Sequence, residues 1–191
     1  MKKITTVFVL ICFSVFGFGQ IKPNSDQDYI KKSLTAFFQN IKSNNIDKAL
    51  NTIYPKFFSV VNKEQTTSLM NMTYNNPIVK LNILQIVFNK IEKPQLIDGE
   101  YFSLVKYNLK LKIDVSSMNE EFRKNVNQVL VSKYGKDRVA FDKKTNTYTV
   151  SANMKACAVS ADKKSWKYVI VEKEYQNQLK KVLPEKILSK I

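Results

Sequence analysis

The sequence predicts an α+β domain in which N-terminal helices pack on a curved antiparallel sheet, with a helical insertion and a C-terminal helix. Two observations predict it. Apolar residues up to Tyr74 recur at helical spacing, and beyond Pro77 they run together or alternate as in strands. The clearest alternation is Val105 to Val115. There Val105, Tyr107, Leu109, Leu111, Ile113 and Val115 face one way, and Lys106, Asn108, Lys110, Lys112 and Asp114 the other.

The elements follow in order. Ile21 to Gln27 is a short polar stretch. Ile30, Leu34, Phe37, Phe38 and Ile41 then form one helical face, with Asp26 or Asp28 as cap and Asn44-Asn45 as terminator. A second short helix carries Ile46, Ala49, Leu50 and Ile53 and stops at Pro55. Phe57, Phe58, Val60 and Val61 form an apolar knot. Asn62, three residues before Gln65, opens a third helix that runs to Tyr74. Ile78 to Ile91 is rich in Ile, Val and Leu and reads as a strand, and Asp98-Gly99 reads as a turn. Ser117 and Glu120 make a capping box for a helix with Phe122, Val126, Val129 and Leu130 on its face, closed by Gly135. Arg138 to Asp142 and Thr147 to Val159 form a hairpin about Lys143 to Asn146. Trp166 to Glu172 is a further strand, and Tyr175 to Ile191 is helical, interrupted at Pro184. The helix and sheet faces are expected to meet in one core that buries Phe37, Phe38, Leu109, Leu111 and Ile170.

Residues 1–19 read as a secretory signal peptide. A basic start, Met1-Lys2-Lys3, precedes an apolar run from Ile4 to Phe18, and Gly17 and Gly19 are small residues where a signal peptidase needs them. The run is about 15 residues against the roughly 20 of a spanning helix, which argues against a membrane anchor. Cys12 lacks a small residue before it and stands too early for a lipid anchor. The expectation is cleavage and export, periplasmic or secreted, leaving residues 20–191 as a single α+β domain with no transmembrane segment.

Of 31 Lys and Arg, only Arg123 and Arg138 are Arg, against 16 Asp and Glu. Loss of the leader removes Lys2 and Lys3, leaving 29 basic and 16 acidic side chains, a net +13. Such a field attracts anions, and weak nonspecific anion binding is expected. Specific reading of bases or phosphates leans on Arg forks, so no specific nucleic-acid partner is expected. One cysteine, Cys157, remains after the leader, which excludes an intrachain disulfide and fits a small side chain packed in a strand.

The chain has no His. That excludes Ser-His-Asp and Cys-His catalysis and a HExxH zinc site, and with one Cys it excludes ordinary structural zinc. Gly99 and Gly135 are the only glycines beyond the leader, too few for a Walker loop or a GxGxxG turn. No cofactor, metal or catalytic residue is assigned. Asp26-x-Asp28 fits a helix cap as well as a cation, and Asp98 and Glu100 read as solvated turn charges.

The order of elements from Asp28 to Glu172 resembles the nuclear-transport-factor-2-like (SnoaL-like, cystatin-like) superfamily. The resemblance rests on Phe37 to Leu50, on Tyr54-Pro55 and on Lys63-Glu64-Gln65, and is nearest to exported, mostly uncharacterised members from Gram-negative bacteria. The insertion Asn119 to Tyr134 departs from the minimal fold. The resemblance implies a cone-shaped domain whose aromatic residues can line an apolar pocket. Tyr54, Phe58, Tyr107, Trp166 and Tyr168 are the candidates, and the same residues suit a packed core. It also implies that some relatives use a buried Asp base with a Tyr donor. The inward strand series here hold no acid until Glu172, at a strand end where a solvated carboxylate is expected.

Three functional readings follow. The first is an exported, non-catalytic domain that binds a small apolar ligand or an envelope protein. The second is a small cofactor-free enzyme of isomerase or hydratase type acting on an apolar substrate. The third is an envelope-associated protein held by its lysines. A carboxylate facing a cavity favours the enzyme, and a continuous lysine face favours surface binding.

Overall fold

A computed structural model describes residues 25–191. The expected leader, its cleavage point and Cys12 lie outside the described residues.

Helix α1 (Asp26–Lys42) buries Ile30, Leu34, Phe37, Phe38 and Ile41, the face expected from their spacing. Its cap is Ser25 rather than either aspartate. The Ser25 Oγ accepts from the Asp28 amide at 3.2 Å, and the Asp28 carboxylate accepts from the Ser25 amide at 3.0 Å. Helix α2 (Ile46–Leu50) follows, and Pro55 starts a 3-10 turn, Pro55–Ser59, in place of a plain stop. Helix α3 (Lys63–Tyr74) is capped by Asn62, whose Oδ1 accepts from the Gln65 amide at 2.8 Å. No residue of α3 is fully buried, and Leu69 and Met72 are 57% and 68% exposed.

Six antiparallel strands form one sheet: β1 (Lys80–Ile91), β2 (Gln95–Ile97), β3 (Glu100–Asp114), β4 (Val139–Asp142), β5 (Thr147–Ser160) and β6 (Lys167–Ile170). The order is β1-β3-β5-β4, with β2 also on β3 and β6 also on β5. The two long strands, β3 and β5, pair without a shift from Tyr101↔Ser160 to Asp114↔Thr147. β1 pairs with β3 through two register shifts, at Ile83/Gln85 and Phe88/Lys90. These bulges return Leu81, Ile83, Ile86, Phe88 and Ile91 to the helix side, opposite Ile113, Leu111, Leu109, Tyr107 and Val105. That is why this stretch reads as an apolar run without clean alternation. The short β2 has no counterpart among the elements expected from the sequence. It enters β3 through Asp98 and Gly99, both at positive φ (49° and 83°), as a tight hairpin requires.

Helix α4 (Glu120–Tyr134) is the insertion. Its cap is Asn119, which accepts from the Phe122 amide at 2.9 Å, and not the expected Ser117. Leu130 alone of its residues is buried, while Phe122 and Val129 are 58% and 65% exposed, contrary to the face assigned to them. The helix lies near the β4 end of the sheet, and one row of its side chains is enough to hold it. Helices α5 (Gln176–Val182) and α6 (Glu185–Leu188) are separated by Pro184, as expected.

The single core expected from the sequence is in fact two, one on each face of the sheet. The inner core joins α1 and Ala49 of α2 to Val105, Tyr107, Leu109, Leu111, Ile113, Val150 and Tyr168. The outer core joins α5 and α6 to Phe102, Leu104, Cys157, Val159 and Val169, with Tyr54 and Phe57. β3 is buried on both faces from Phe102 to Val105, and its outward Phe102 and Leu104 need a second cover there. Phe37, Phe38, Leu109 and Leu111 are buried as expected, whereas Ile170 is half-buried.

Candidate functional site: a cleft between the helices and the inner face of the sheet

The inner core is incomplete at one end. Phe37, Phe38 and Ile41 of α1 and the inward Tyr107 and Leu109 of β3 wall a cleft of about 380 Å³. Thr66, Leu69, Met70, Thr73 and Tyr74 bring α3 over it, and Val169, Ile170 and Glu172 close the side towards β6. Of α3 only Met70 and Tyr74 pack, partly buried, against the inner core, and its other lining side chains face the open cleft, so none is fully buried. The walls are mainly apolar, and the polar groups are few: Thr66 and Thr73, Tyr74, Tyr107 and Tyr175, Lys133 and Glu172.

Those polar groups converge. Lys133 of α4 donates to Glu172 Oε2 at 3.3 Å and lies 3.6 Å from Glu174 Oε1. Burial works against the Lys133 charge, but Glu172, Tyr134 and Glu174 outweigh it and leave its pKa above the ordinary lysine value. Burial first, then Glu172 and Tyr74, push the Tyr107 hydroxyl far above its ordinary value. Burial, then Tyr134 and Glu172, raise Tyr74 in the same sense. Both tyrosines are therefore neutral hydroxyl donors at any physiological pH. Glu172 is ion-paired, with 27% of its side chain exposed, and it faces the cleft. This differs from the solvated strand end that alternation implied, because α4 brings Lys133 against it.

Of the five aromatic candidates, Tyr107 lines the cleft. Tyr168 is fully buried in the inner core, and its hydroxyl donates to the Ile30 carbonyl at 2.8 Å. Trp166 is buried, and its Nε1 donates to the Lys163 carbonyl at 2.9 Å. Tyr54 belongs to the outer core and donates to Glu100 Oε2 at 2.7 Å, where Lys56 also donates at 2.8 Å. Glu100 is thus a paired carboxylate and not a free turn charge. Phe58 stacks edge-on to Phe57 with centroids 6.3 Å apart, outside the cleft lining. Tyr74, Met70 and Lys133 are lining residues that sequence reasoning missed. Tyr74 had one signal: it is the last helical residue before Asn75-Asn76-Pro77, where a side chain can turn back over the sheet.

Among the described residues, no group of three or more His, Cys, Asp or Glu is placed to hold a metal ion, and no helix is long and apolar enough to cross a membrane. Cys157 is buried, and burial pushes its thiol up to about 12.

No family model matches the chain, and no curated protein does. The chain is similar to a solved structure of an uncharacterised protein with a cystatin-like fold from Caulobacter vibrioides. The two are 11% identical, with a TM-score of 0.38, over 81% of this chain and 95% of the other. The α+β class itself rests on the helices and the six-stranded antiparallel sheet described above.

Proposed function

We propose that this is an exported, non-catalytic domain of the nuclear-transport-factor-2-like kind, which holds a small, largely apolar ligand in the cleft beneath α3. Its place of work is the cell envelope or the medium beyond it. The observation that carries the reading is the cleft itself. Its volume of about 380 Å³ lies in the range of small-molecule sites, and an apolar wall with a few convergent polar groups is their usual chemistry. Burying apolar ligand surface supplies affinity at about 25 cal/mol per Å². The hydroxyls of Tyr74 and Tyr107 supply orientation.

The test is titration with Nile red, an uncharged apolar dye, followed by fluorescence. Saturable one-to-one binding is expected. Met70→Trp, which fills the cleft from α3, should weaken it at least tenfold. No saturable binding, or binding indifferent to Met70→Trp, overturns the reading.

One observation favours the enzyme reading as a second. Glu172 faces the cleft near Tyr74 and Tyr107, so a carboxylate and neutral hydroxyl donors share one site. Against it stands the Lys133 ion pair, which occupies Glu172 Oε2. Glu172→Gln separates the two. Dye binding should survive in either case, and only an isomerase or hydratase has a turnover of apolar substrate for the substitution to abolish.

A further inference from the structure

The outer face of the sheet is covered by α5 and α6 over only part of its length. Beyond Leu104 and Cys157 the outward residues of β3 are Lys106, Asn108, Lys110 and Lys112, and those of β5 are Lys155, Asn153, Ser151 and Thr149. They pair directly as Lys106↔Lys155, Asn108↔Asn153, Lys110↔Ser151 and Lys112↔Thr149. β1 extends the rows with Lys90↔Lys106, Gln85↔Lys110 and Asn82↔Lys112. Three lysines, Lys90, Lys106 and Lys155, therefore stand side by side on adjacent strands. Like charges directly opposite each other destabilise a sheet. Lys90 is relieved by Glu92 at 3.4 Å, and Lys155 donates to the Ile191 carbonyl at 3.3 Å. Lys106 and Lys110 have no ion-pair partner among the described residues. Of the carboxylates around this face, Asp114 and Asp142 stand at its far end near Lys112, Glu92 lies beside Lys90, and Glu172 and Glu174 share a hollow with Asn153 and Lys155.

We propose that this open face is a binding surface for an acidic polysaccharide chain. The lysines take its carboxylates, and the carboxamides and hydroxyls between them take its sugar hydroxyls. This reading does not rest on the cleft, since the lysines that carry it are on the outward side of the sheet. Two features carry it. Asn108 stands between Lys106 and Lys110 on the outward side of β3, an uncharged hydrogen-bonding side chain between two lysines about 13 Å apart at the usual strand rise. A depression of about 490 Å³ lies where Lys106, Lys155, Asn108 and Asn153 meet, and Asn89, extruded by the second bulge of β1, lines it with Tyr107 and Met154. The alternatives fit less well. Single-stranded nucleic acid needs aromatic platforms for its bases, and this face has none. A membrane surface calls for apolar side chains that enter the headgroup layer, and β1 exposes two large ones here, Val87 and the bulge residue Leu84, among many polar groups.

The test is affinity electrophoresis of the purified protein in gels that contain polygalacturonate, at about 0.15 M salt. Its fully methyl-esterified form, which has the same backbone without charge, is the control. Retardation by the acid form and none by the ester are expected. Lys106→Gln with Lys155→Gln should weaken binding at least tenfold. Lys32→Gln with Lys48→Gln removes the same charge from α1 and α2 and should change it less than twofold. If the first pair fails to fold by circular dichroism, Lys110→Gln with Lys112→Gln reads out the same face. Equal loss from both surfaces, equal binding of the ester, or equal binding of single-stranded DNA or phosphatidylglycerol vesicles at that salt overturns the proposal.

Discussion

Cys157 shows what burial does to a single residue. It points into the outer core among Phe102, Leu104 and Val169, where burial holds its thiol up at about 12. The thiolate is the reactive form, so the native protein should resist Ellman's reagent for hours and react at once in 6 M guanidinium. Rapid labelling of the folded protein would mean that this core opens readily. At this scale the sequence was an uneven guide. Tyr107 was legible as a cleft residue because it lies on the inward side of a cleanly alternating strand. Tyr168 and Trp166 carry the same inward signature, yet their polar atoms are taken up by the Ile30 and Lys163 carbonyls. Alternation tells which face a ring is on and not whether a helix covers it. Lys133 was illegible for a different reason, since its role depends on α4 folding back beside Glu172.

Among the elements, α1 and α3 make the sharpest contrast. α1 buries five apolar side chains and is closed by a capping box, whereas α3 has a single cap bond and buries none fully. Phe38→Ala should cost about 3–5 kcal/mol, since the ring is packed on Phe37 and Tyr107. Leu69→Ala and Met72→Ala should each change stability by about 0.5 kcal/mol or less. Amide exchange should be correspondingly faster in α3 than in α1. Equal protection of the two helices would show that α3 is held by more than its contacts along the cleft. The helices were legible because a buried stripe repeats every three or four residues. β1 was legible as a strand but not in its register, because two bulges each insert a residue that breaks the alternation. The α4 face was misjudged because a helix at the sheet's end buries one row of side chains rather than a full stripe.

The whole molecule is basic, and its acid groups are placed to matter at low pH. Asp28, Asp114, Asp142 and Asp162 all have pKa values below the ordinary aspartate value. The first three are lowered mainly by side-chain hydrogen bonds from Ser25, Ser116 and Thr145, and Asp162 by the backbone N–H groups of Ser165 and Lys164. A folded-state pKa below the unfolded one stabilises the protein above the unfolded value, near 4. That stability is lost as the pH falls through the folded-state values. The thermal midpoint should therefore drop between about pH 5 and pH 2, and Asp162→Ala should flatten that slope. A midpoint constant down to pH 2 would contradict this account. The α+β class was readable at this scale, but the division into two cores was not drawn from it. Its one sequence trace is the pair Phe102 and Leu104, apolar side chains on the side of β3 that is polar from Lys106 onward.

The second core also sets an order in time. The chain is synthesised from its N-terminus, and every strand of the sheet precedes α5 and α6. Until those helices emerge, Phe102, Leu104, Val159 and Val169 form a greasy strip open to water on a nearly finished sheet. The strip is sealed only when Leu179 and Ile187 settle over it.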